Sequence, residues 1–300
     1  MPVKPLIVLG CMFALCTHAR AQEAELAPDL AYGNYQMGYY LSALREATKR
    51  IESNPNDAPA MTLLGQLYLE GLGVAQNDTE AVRWFALAAA RGNAQAQFAL
   101  GAEKLVGKGT PQDKKGAKTL FEQAAAQNNA GAIYNLGVIA LEDNDGAAKA
   151  ASLFQKAADL GDLDACYSLG LLYKSGSGVE KKLSEALKYF TKAAQEKHVN
   201  SMIELGLMQF NALGTARDET SAAHWFRMAA ELNNAIGQNR IARLLAAGRG
   251  VPVDKIEAAK WHVLARAQGL SDAWLDGVLN GLTADEKAKV STLVLRQLGQ

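Results

Sequence analysis

Histidine, serine and cysteine are the residue types through which this 300-residue chain could carry out catalysis or bind a metal. Its histidines and cysteines show neither a His-Glu-x-x-His nor a Cys-x-x-Cys spacing, which are patterns that bring zinc ligands together. Ser221 and His224 lie one helical turn apart, but no acid is in position to orient the histidine as a base. No Ser-x-x-Lys, Lys-Thr-Gly or Gly-x-Ser-x-Gly motif supports acyl transfer. We therefore predict that the protein is not an enzyme and has no metal site.

Motifs for binding calcium or nucleotides are incomplete or absent. The acidic stretch at residues 143–146 superficially matches a calcium-binding loop, but that loop would begin at Leu141 and end at Ser152, where Asp and Glu are required. The chain contains no Gly-x-x-x-x-Gly-Lys motif and no dinucleotide-binding glycine motif. We expect no cofactor.

The charge of the chain is balanced. It has 31 basic and 31 acidic residues, and its longest basic runs are Lys114-Lys115 and Lys181-Lys182. Domains that bind nucleic acid usually carry a clustered basic excess. We therefore expect no nucleic-acid partner.

The first 21 residues have the pattern of a secretory leader. An apolar run at residues 5–16 precedes Ala19-Arg20-Ala21, which places small residues at the −3 and −1 positions of a signal-peptidase site. We predict cleavage after Ala21 and a periplasmic or secreted mature chain. The apolar run is shorter than the roughly 20 residues that cross a bilayer, so we expect no membrane insertion of the mature chain. Lipidation at Cys11 is the alternative.

After this cleavage the mature chain keeps a single cysteine, Cys166. It therefore has no internal disulfide, and we expect the thiol to be buried as a small hydrophobic side chain.

A repeated pair of residues, Leu-Gly, organises the rest of the chain. These anchor pairs recur every 36 residues, with one step of 33, at Leu64-Gly65, Leu100-Gly101, Leu136-Gly137, Leu169-Gly170, Leu205-Gly206 and, in altered form, Ile241-Ala242. The short copy has lost three residues from the turn that follows its anchor. An aromatic ring follows each anchor at one register position, at Phe85, Phe121, Phe154, Phe190, Phe226 and finally His262. Such self-similarity is typical of repeat architectures.

The periodicity predicts a pair of helices in each copy. The first helix holds the anchor, a glycine-rich turn follows, and the second helix ends near Gly92, Asn128, Gly161 or Gly269, residue types that suit a left-handed cap. One pair cannot bury its own apolar face, so neighbouring pairs must stack. The predicted fold is all-α.

The motif Leu64-Gly65-x-x-Tyr68-x-x-Gly71-x-Gly73, followed by Ala81-x-x-Trp84-Phe85-x-x-Ala88-Ala89, resembles the Sel1-like repeat, a relative of the tetratricopeptide repeat. The resemblance covers residues 58–270 in six copies and implies a right-handed α-solenoid. It also implies protein partners, because members of this family are typically adaptors and scaffolds. Some cysteine-rich members are associated with β-lactam binding or hydrolysis, but this chain lacks their disulfide-forming cysteine pairs.

Segments at both ends of the array are predicted to act as caps. Residues 22–57 resemble a tetratricopeptide helix pair whose second helix stops at Pro55. Residues 271–300 are predicted to form C-terminal capping helices, and Thr283 with Glu286 forms a capping box at the start of the last one.

A binding surface is predicted on the first helices. If the copies stack like tetratricopeptide repeats, positions −3, −2, +1 and +4 from the second anchor residue line the concave side. The predicted binding residues at −3 and −2 are Phe98, Tyr134, Asn135, Tyr167, Ser168, Ile203, Glu204 and Arg240. Positions +1 and +4 add Ala102 and Leu105, Val138 and Leu141, Leu171 and Lys174, and Leu207 and Phe210 in the central copies. Much of the same stripe could instead be packing core, and the sequence leaves both interpretations open.

We expect, from the resemblance and the lack of catalytic motifs, an exported adaptor or scaffold that binds a protein or peptide. One alternative is a periplasmic partner that restrains a membrane sensor kinase, as some secreted members of the family do. Another is a cell-envelope hydrolase acting on β-lactams or peptidoglycan, which the absent catalytic motifs disfavour.

Overall fold

The computed structural model describes residues 29–142 and 146–299. Within these ranges every regular element is an α-helix and there is no strand, so the all-α prediction is confirmed. The described residues form two compact units, the first ending at Asp162 and the second beginning at Leu163. No helix of the described part is long and apolar enough to span a bilayer.

The helices of both units are short. In the first unit they are α1 (Leu30–Gln36), α2 (Tyr40–Ser53), α3 (Ala58–Glu70), α4 (Asp78–Ala90), α5 (Ala94–Val106), α6 (Lys114–Ala126), α7 (Ala130–Ala140) and α8 (Ala147–Asp159). In the second unit they are α9 (Leu163–Ser175), α10 (Leu183–Gln195), α11 (Val199–Phe210), α12 (Glu219–Glu231), α13 (Ala235–Ala247), α14 (Lys255–Ala267), α15 (Ala273–Asn280) and α16 (Ala284–Gln297).

Helices pack in successive pairs within each unit. In the first unit α3 packs on α4, α5 on α6 and α7 on α8, and α2, α4 and α6 each also contact the helix that follows. In the second unit the pairs are α9 with α10, α11 with α12 and α13 with α14, and each of the first two pairs contacts the next. Each pair corresponds to one copy of the sequence repeat, and stacking buries the face that a single pair would expose.

Helix starts recur with the repeat because capping side chains recur. The side chains of Asp57, Asn93, Asn129 and Asn234 precede α3, α5, α7 and α13, and each accepts the backbone N–H three residues later. Such a cap stabilises a helix by about 1 kcal/mol. The predicted left-handed positions after the second helices are confirmed by positive φ angles at Gly92, Asn128, Gly161 and Gly269.

The turn after the first helix also needs a residue in the left-handed backbone conformation. Glycine takes that conformation at Gly71, Gly107 and Gly248, which end α3, α5 and α13. In the fifth copy Ala212 occupies the equivalent place with a φ of 55°. A residue with a Cβ is strained there by roughly 1–2 kcal/mol.

The anchor glycine lies against the phenylalanine ring of its own repeat. A Cβ added to Gly137 would stand 2.5 Å from the Phe154 ring, and the glycines of the other four Leu-Gly anchors face their rings in the same way. These rings are at most 2% exposed, as expected for the core, and they are Phe85, Phe121, Phe154, Phe190 and Phe226. Burial of such a ring contributes roughly 1.5–3 kcal/mol.

The sixth copy departs from this pattern at both positions. Ala242 stands where the glycine is expected and His262 where the ring is expected, and both are fully buried. The methyl group that Ala242 adds and the smaller ring of His262 therefore occur in the same copy. The Nε2 atom of His262 lies 2.8 Å from Oδ1 of Asp276 on α15, so the last repeat is tied to the helix that covers it.

Helices also flank the repeats at both ends. At the N-terminal end α1 and α2 form a helix pair, and α2 ends at Ser53, just before Pro55. At the C-terminal end the side chain of Thr283 accepts the N–H of Glu286, and the Glu286 carboxylate accepts the N–H of Thr283. The capping box is therefore confirmed. Cys166 is buried, as expected.

Two sequence predictions lie outside the described residues. They are the leader with its cleavage after Ala21, including the alternative at Cys11, and the acidic residues 143–145 of the calcium-like loop.

The glycine–ring contact predicts the effect of one methyl group. Gly206→Ala places a Cβ 2.7 Å from the Phe226 ring, and we expect overpacking to lower the free energy of unfolding by about 1–3 kcal/mol. Urea unfolding followed by circular dichroism measures the change. The matched control is Gly277→Ala in α15, where no heavy atom lies within 4 Å of the new Cβ and helix propensity predicts a gain of up to ~1 kcal/mol. Equal unfolding midpoints for the two variants would contradict the packing role of Gly206.

Candidate binding pocket of the second unit

The second unit contains a pocket on its first helices. Its volume is about 460 Å³, which lies in the usual range of roughly 300–1,000 Å³ for ligand sites. We name it the arginine pocket, and its lining residues are Leu207, Phe210, Asn211, Phe226, Arg240, Arg243, Leu244, Ala247, Arg249 and Trp274.

The repeat register explains which side chains reach the pocket. Leu207 on α11 and Arg243 on α13 occupy position +1 of their copies, and Phe210 occupies position +4. These positions lie on one face of the first helix because they are three residues apart. Arg240 at position −2 also lines the pocket, at its exposed side.

Arg243 is fixed by a buried carboxylate. Its Nε lies 2.5 Å from Oδ2 of Asp272 and its Nη2 lies 2.8 Å from Oδ1, which is the two-pronged geometry that suits a guanidinium. Asn239 donates a third hydrogen bond to the same carboxylate, at 2.8 Å. The guanidinium carbon lies 5.5 Å from the centre of the Trp274 ring. Arg243 is thus oriented by contacts that exist without a ligand.

The ionisation of Asp272 reflects these contacts. Burial raises the pKa of this carboxyl, but hydrogen bonds from Arg243, Asn239 and the backbone N–H of Leu275 outweigh burial and hold the pKa at about 2. The same carboxylate caps α15 by accepting the N–H groups of Trp274 and Leu275. One side chain therefore both starts α15 and positions an arginine of the pocket.

Arg249 is fixed in a similar way. Its guanidinium carbon lies 4.2 Å from the centre of the Phe210 ring, and its Nε donates to Glu219 Oε2 at 3.3 Å. The hydrogen bond from Arg249 lowers the pKa of Glu219. Arg240, in contrast, is exposed and makes no ion pair or hydrogen bond with another side chain of the described part of the chain.

The other predicted binding residues of the second unit lie outside the arginine pocket. Tyr167 is half-buried, with its ring 5.9 Å from that of Phe190 and 5.4 Å from that of His198. Burial and the charge of Glu204 raise the pKa of the Tyr167 hydroxyl. Ser168 is half-buried on α9, Ile203 is buried, and Glu204 forms an ion pair of 2.5 Å with Lys174.

In the first unit the predicted residues contact their own repeats. The half-buried rings of Phe98 and Tyr134 lie 6.1 Å from Phe121 and 5.4 Å from Phe154, respectively. Asn135 donates to the carbonyl of Gly131 in its own helix. The rings at position −3 therefore have a packing role, and their role in binding stays a prediction.

A serine, a histidine and an acid come together at a place that the sequence did not indicate. His198 Nδ1 lies 2.8 Å from Ser201 Oγ, and its Nε2 lies 3.2 Å from Asp164 Oδ1. Ser201 is fully buried, so its hydroxyl is closed to a substrate. His198 Nδ1 also accepts the N–H of Ser201 and so caps α11, a role that asparagine or aspartate has in other copies. The arrangement is explained by helix capping.

The pair that the sequence did single out is not assembled. The Ser221 hydroxyl donates to Asp218 at 2.6 Å, and His224 is exposed beside Trp225. In the described residues no three His, Cys, Asp or Glu side chains converge to hold a metal ion.

The bond between Asp272 and Arg243 predicts how stability depends on pH. The pKa of Asp272 is lower in the folded protein than in the unfolded chain. Its ionised carboxylate therefore stabilises the fold fully above the unfolded-state pKa of about 3.9, and this stabilisation is lost as the pH falls through about 2. We expect Asp272→Asn, which keeps a capping side chain, to lower the free energy of unfolding at neutral pH by about 2 kcal/mol. Urea unfolding at a series of pH values from about 2 up to neutral measures both effects. The control is Asp285→Asn, at an exposed site on α16; a loss as large as that of Asp272→Asn would contradict the assignment.

Comparison with known proteins identifies the repeats. The Sel1 repeat family model matches residues 58–93, 94–129, 130–162, 163–198, 199–234 and 235–270. A search of the curated protein sequences found no significant match.

Two solved structures are similar in fold. One is c5321, a protective antigen of uropathogenic Escherichia coli with an SLR fold, at 26% identity and a TM-score of 0.68; the match covers 90% of this chain and 62% of that one. The present chain thus spans less than two thirds of the c5321 chain. The other is a Sel1 repeat protein from Oxalobacter formigenes, at 25% identity and a TM-score of 0.69, covering 81% of this chain and 97% of that one. With six consecutive repeats matched over residues 58–270, the chain belongs to the Sel1 repeat family.

Proposed function

We propose that this protein is an exported adaptor that binds a segment of another protein on the first helices of its repeats, without catalysing a reaction. The observation that carries the proposal is the arginine pocket, which is lined mainly by first-helix positions of a repeat scaffold. Stacked helix pairs present the same helix face again and again, which suits the binding of an extended segment. Membership of the Sel1 repeat family supports a protein partner.

The side chains that could support catalysis have structural roles instead. Ser201 is buried and Ser221 donates to the capping residue Asp218, so neither hydroxyl is placed as a nucleophile in an open site. The charged groups of the pocket are arginines, which stay protonated and serve binding better than proton transfer. Export would bring such an adaptor to envelope proteins, including the outer domain of a membrane sensor kinase.

Site-specific photo-crosslinking tests the binding face. A photoreactive phenylalanine at position 210 lies in the arginine pocket, whereas the same residue at position 224 replaces an exposed side chain on a second helix. We expect irradiation of native cells to link a partner protein to position 210 and not to position 224. Circular dichroism of both purified variants controls for folding. Crosslinks at position 224 alone, or at neither position, would contradict the proposal.

Export is tested by the N-terminus of the protein recovered from the envelope fraction. Because Ala19 and Ala21 present small residues to signal peptidase, we expect the mature chain to begin at Gln22. Ala21→Tyr should slow cleavage and leave a longer precursor, whereas Ala24→Tyr, beyond the site, should be processed normally. A chain that begins with a lipidated Cys11, or an uncleaved chain in the cytoplasm, would overturn this prediction.

A further inference from the structure

We propose that the arginine pocket binds an acidic segment of the partner, with a glutamate or aspartate carboxylate on Arg240 and a neighbouring apolar side chain against Phe210 and Leu207. The inference rests on the proposed function and names the chemistry of the partner at that site.

The charges of the pocket favour an anion. Three arginines line it and no acidic residue does. The two nearby carboxylates, Asp272 and Glu219, pair with pocket arginines but do not line the pocket, and their side chains are 5% and 25% exposed. Arg240 has no such partner in the described residues and is exposed. An incoming carboxylate would therefore meet an arginine whose hydrogen-bonding groups are unused.

Two of the arginines retain donors beyond their internal pairs. Arg243 and Arg249 both use Nε and Nη2 towards Asp272 and Glu219, and Nη1 of each makes no hydrogen bond to a described residue. Both guanidinium groups also lie over aromatic rings. Side chains that are ordered before binding lose less conformational entropy when the ligand arrives.

The walls between the arginines are apolar. Leu207, Phe210 and Leu244 line the pocket, and Trp274 is 48% exposed at its side. A purely ionic ligand would leave this apolar surface in contact with water. An acidic residue next to an aromatic or aliphatic one satisfies both parts of the pocket, because apolar burial adds to the charge-assisted hydrogen bonds.

A polyanion such as nucleic acid fits less well. Phosphate backbones are bound by extended basic surfaces, whereas this chain has equal numbers of acidic and basic residues, and two of the three pocket arginines already pair with carboxylates. The pocket therefore matches a short peptide segment with one or two carboxylates.

Fluorescence anisotropy with defined peptides tests the inference on the full chain. The probe is a pool of dye-labelled octapeptides in which glutamate alternates with phenylalanine or leucine, acetylated and amidated so that side chains supply every carboxylate. The comparison pool has glutamine at each glutamate position. We expect the glutamate pool to bind at least about tenfold more tightly, and Arg240→Gln to weaken its binding by about tenfold.

Arg296→Gln is the matched control, because it removes the same charge from an exposed position on α16 outside the pocket. We expect it to leave the affinity unchanged. Equal binding of the two pools, equal loss in both variants, or tighter binding of a single-stranded DNA oligonucleotide than of the glutamate pool would overturn the inference.

Failure of the inference is distinguishable from failure of the proposed function. If the protein crosslinked at position 210 binds Arg240→Gln as tightly as the unsubstituted chain, the partner does not use the acidic contact, but the adaptor function stands. If no protein is crosslinked at position 210, the adaptor function itself fails.

Discussion

The contact between a glycine and a phenylalanine ring is the constraint on which the rest of each repeat depends. At the five Leu-Gly anchors an added Cβ would stand 2.5–2.7 Å from the ring, so the two helices can approach to this distance only where the first helix has no side chain. The ring then fills the space between the helices and is shielded from water. This contact occupies one face of the first helix. In the second unit Leu207, Phe210 and Arg243 lie on another face, which lines the arginine pocket.

Most of the fold could be predicted from the sequence because the residues that specify each helix pair are local and recur from copy to copy. Anchors and rings recur at nearly constant spacing, and capping residues such as Asn93 and Asn129 recur with them. A helix that is hard to assign in one copy can therefore be assigned from the equivalent helix of another. The departures at Ala242 and His262 were visible as exceptions. The contact of His262 with Asp276 on α15 was not, because no motif links these two residues.

The candidate site was less predictable because its key contacts join residues that are far apart in the sequence. Arg240 was predicted from its register position, but the bond between Arg243 and Asp272 joins residues 29 apart, and no motif links them. Asp164 and His198 likewise meet across 34 residues. The rings of Tyr134 and Tyr167 show a second limit: position −3 adjoins both the core ring and the outer face, so periodicity alone does not separate packing from binding.

Because each of the first five copies contains both its glycine and its ring, such a repeat is a self-contained structural unit. Duplication of one 36-residue segment would add a helix pair whose internal contact is already complete and whose caps are in register with both neighbours. Such arrays can therefore lengthen or shorten during evolution without redesign of a core. The residues at outer first-helix positions, which the glycine–ring contact does not constrain, are then free to diversify. Partner choice and fold can change independently in such a lineage.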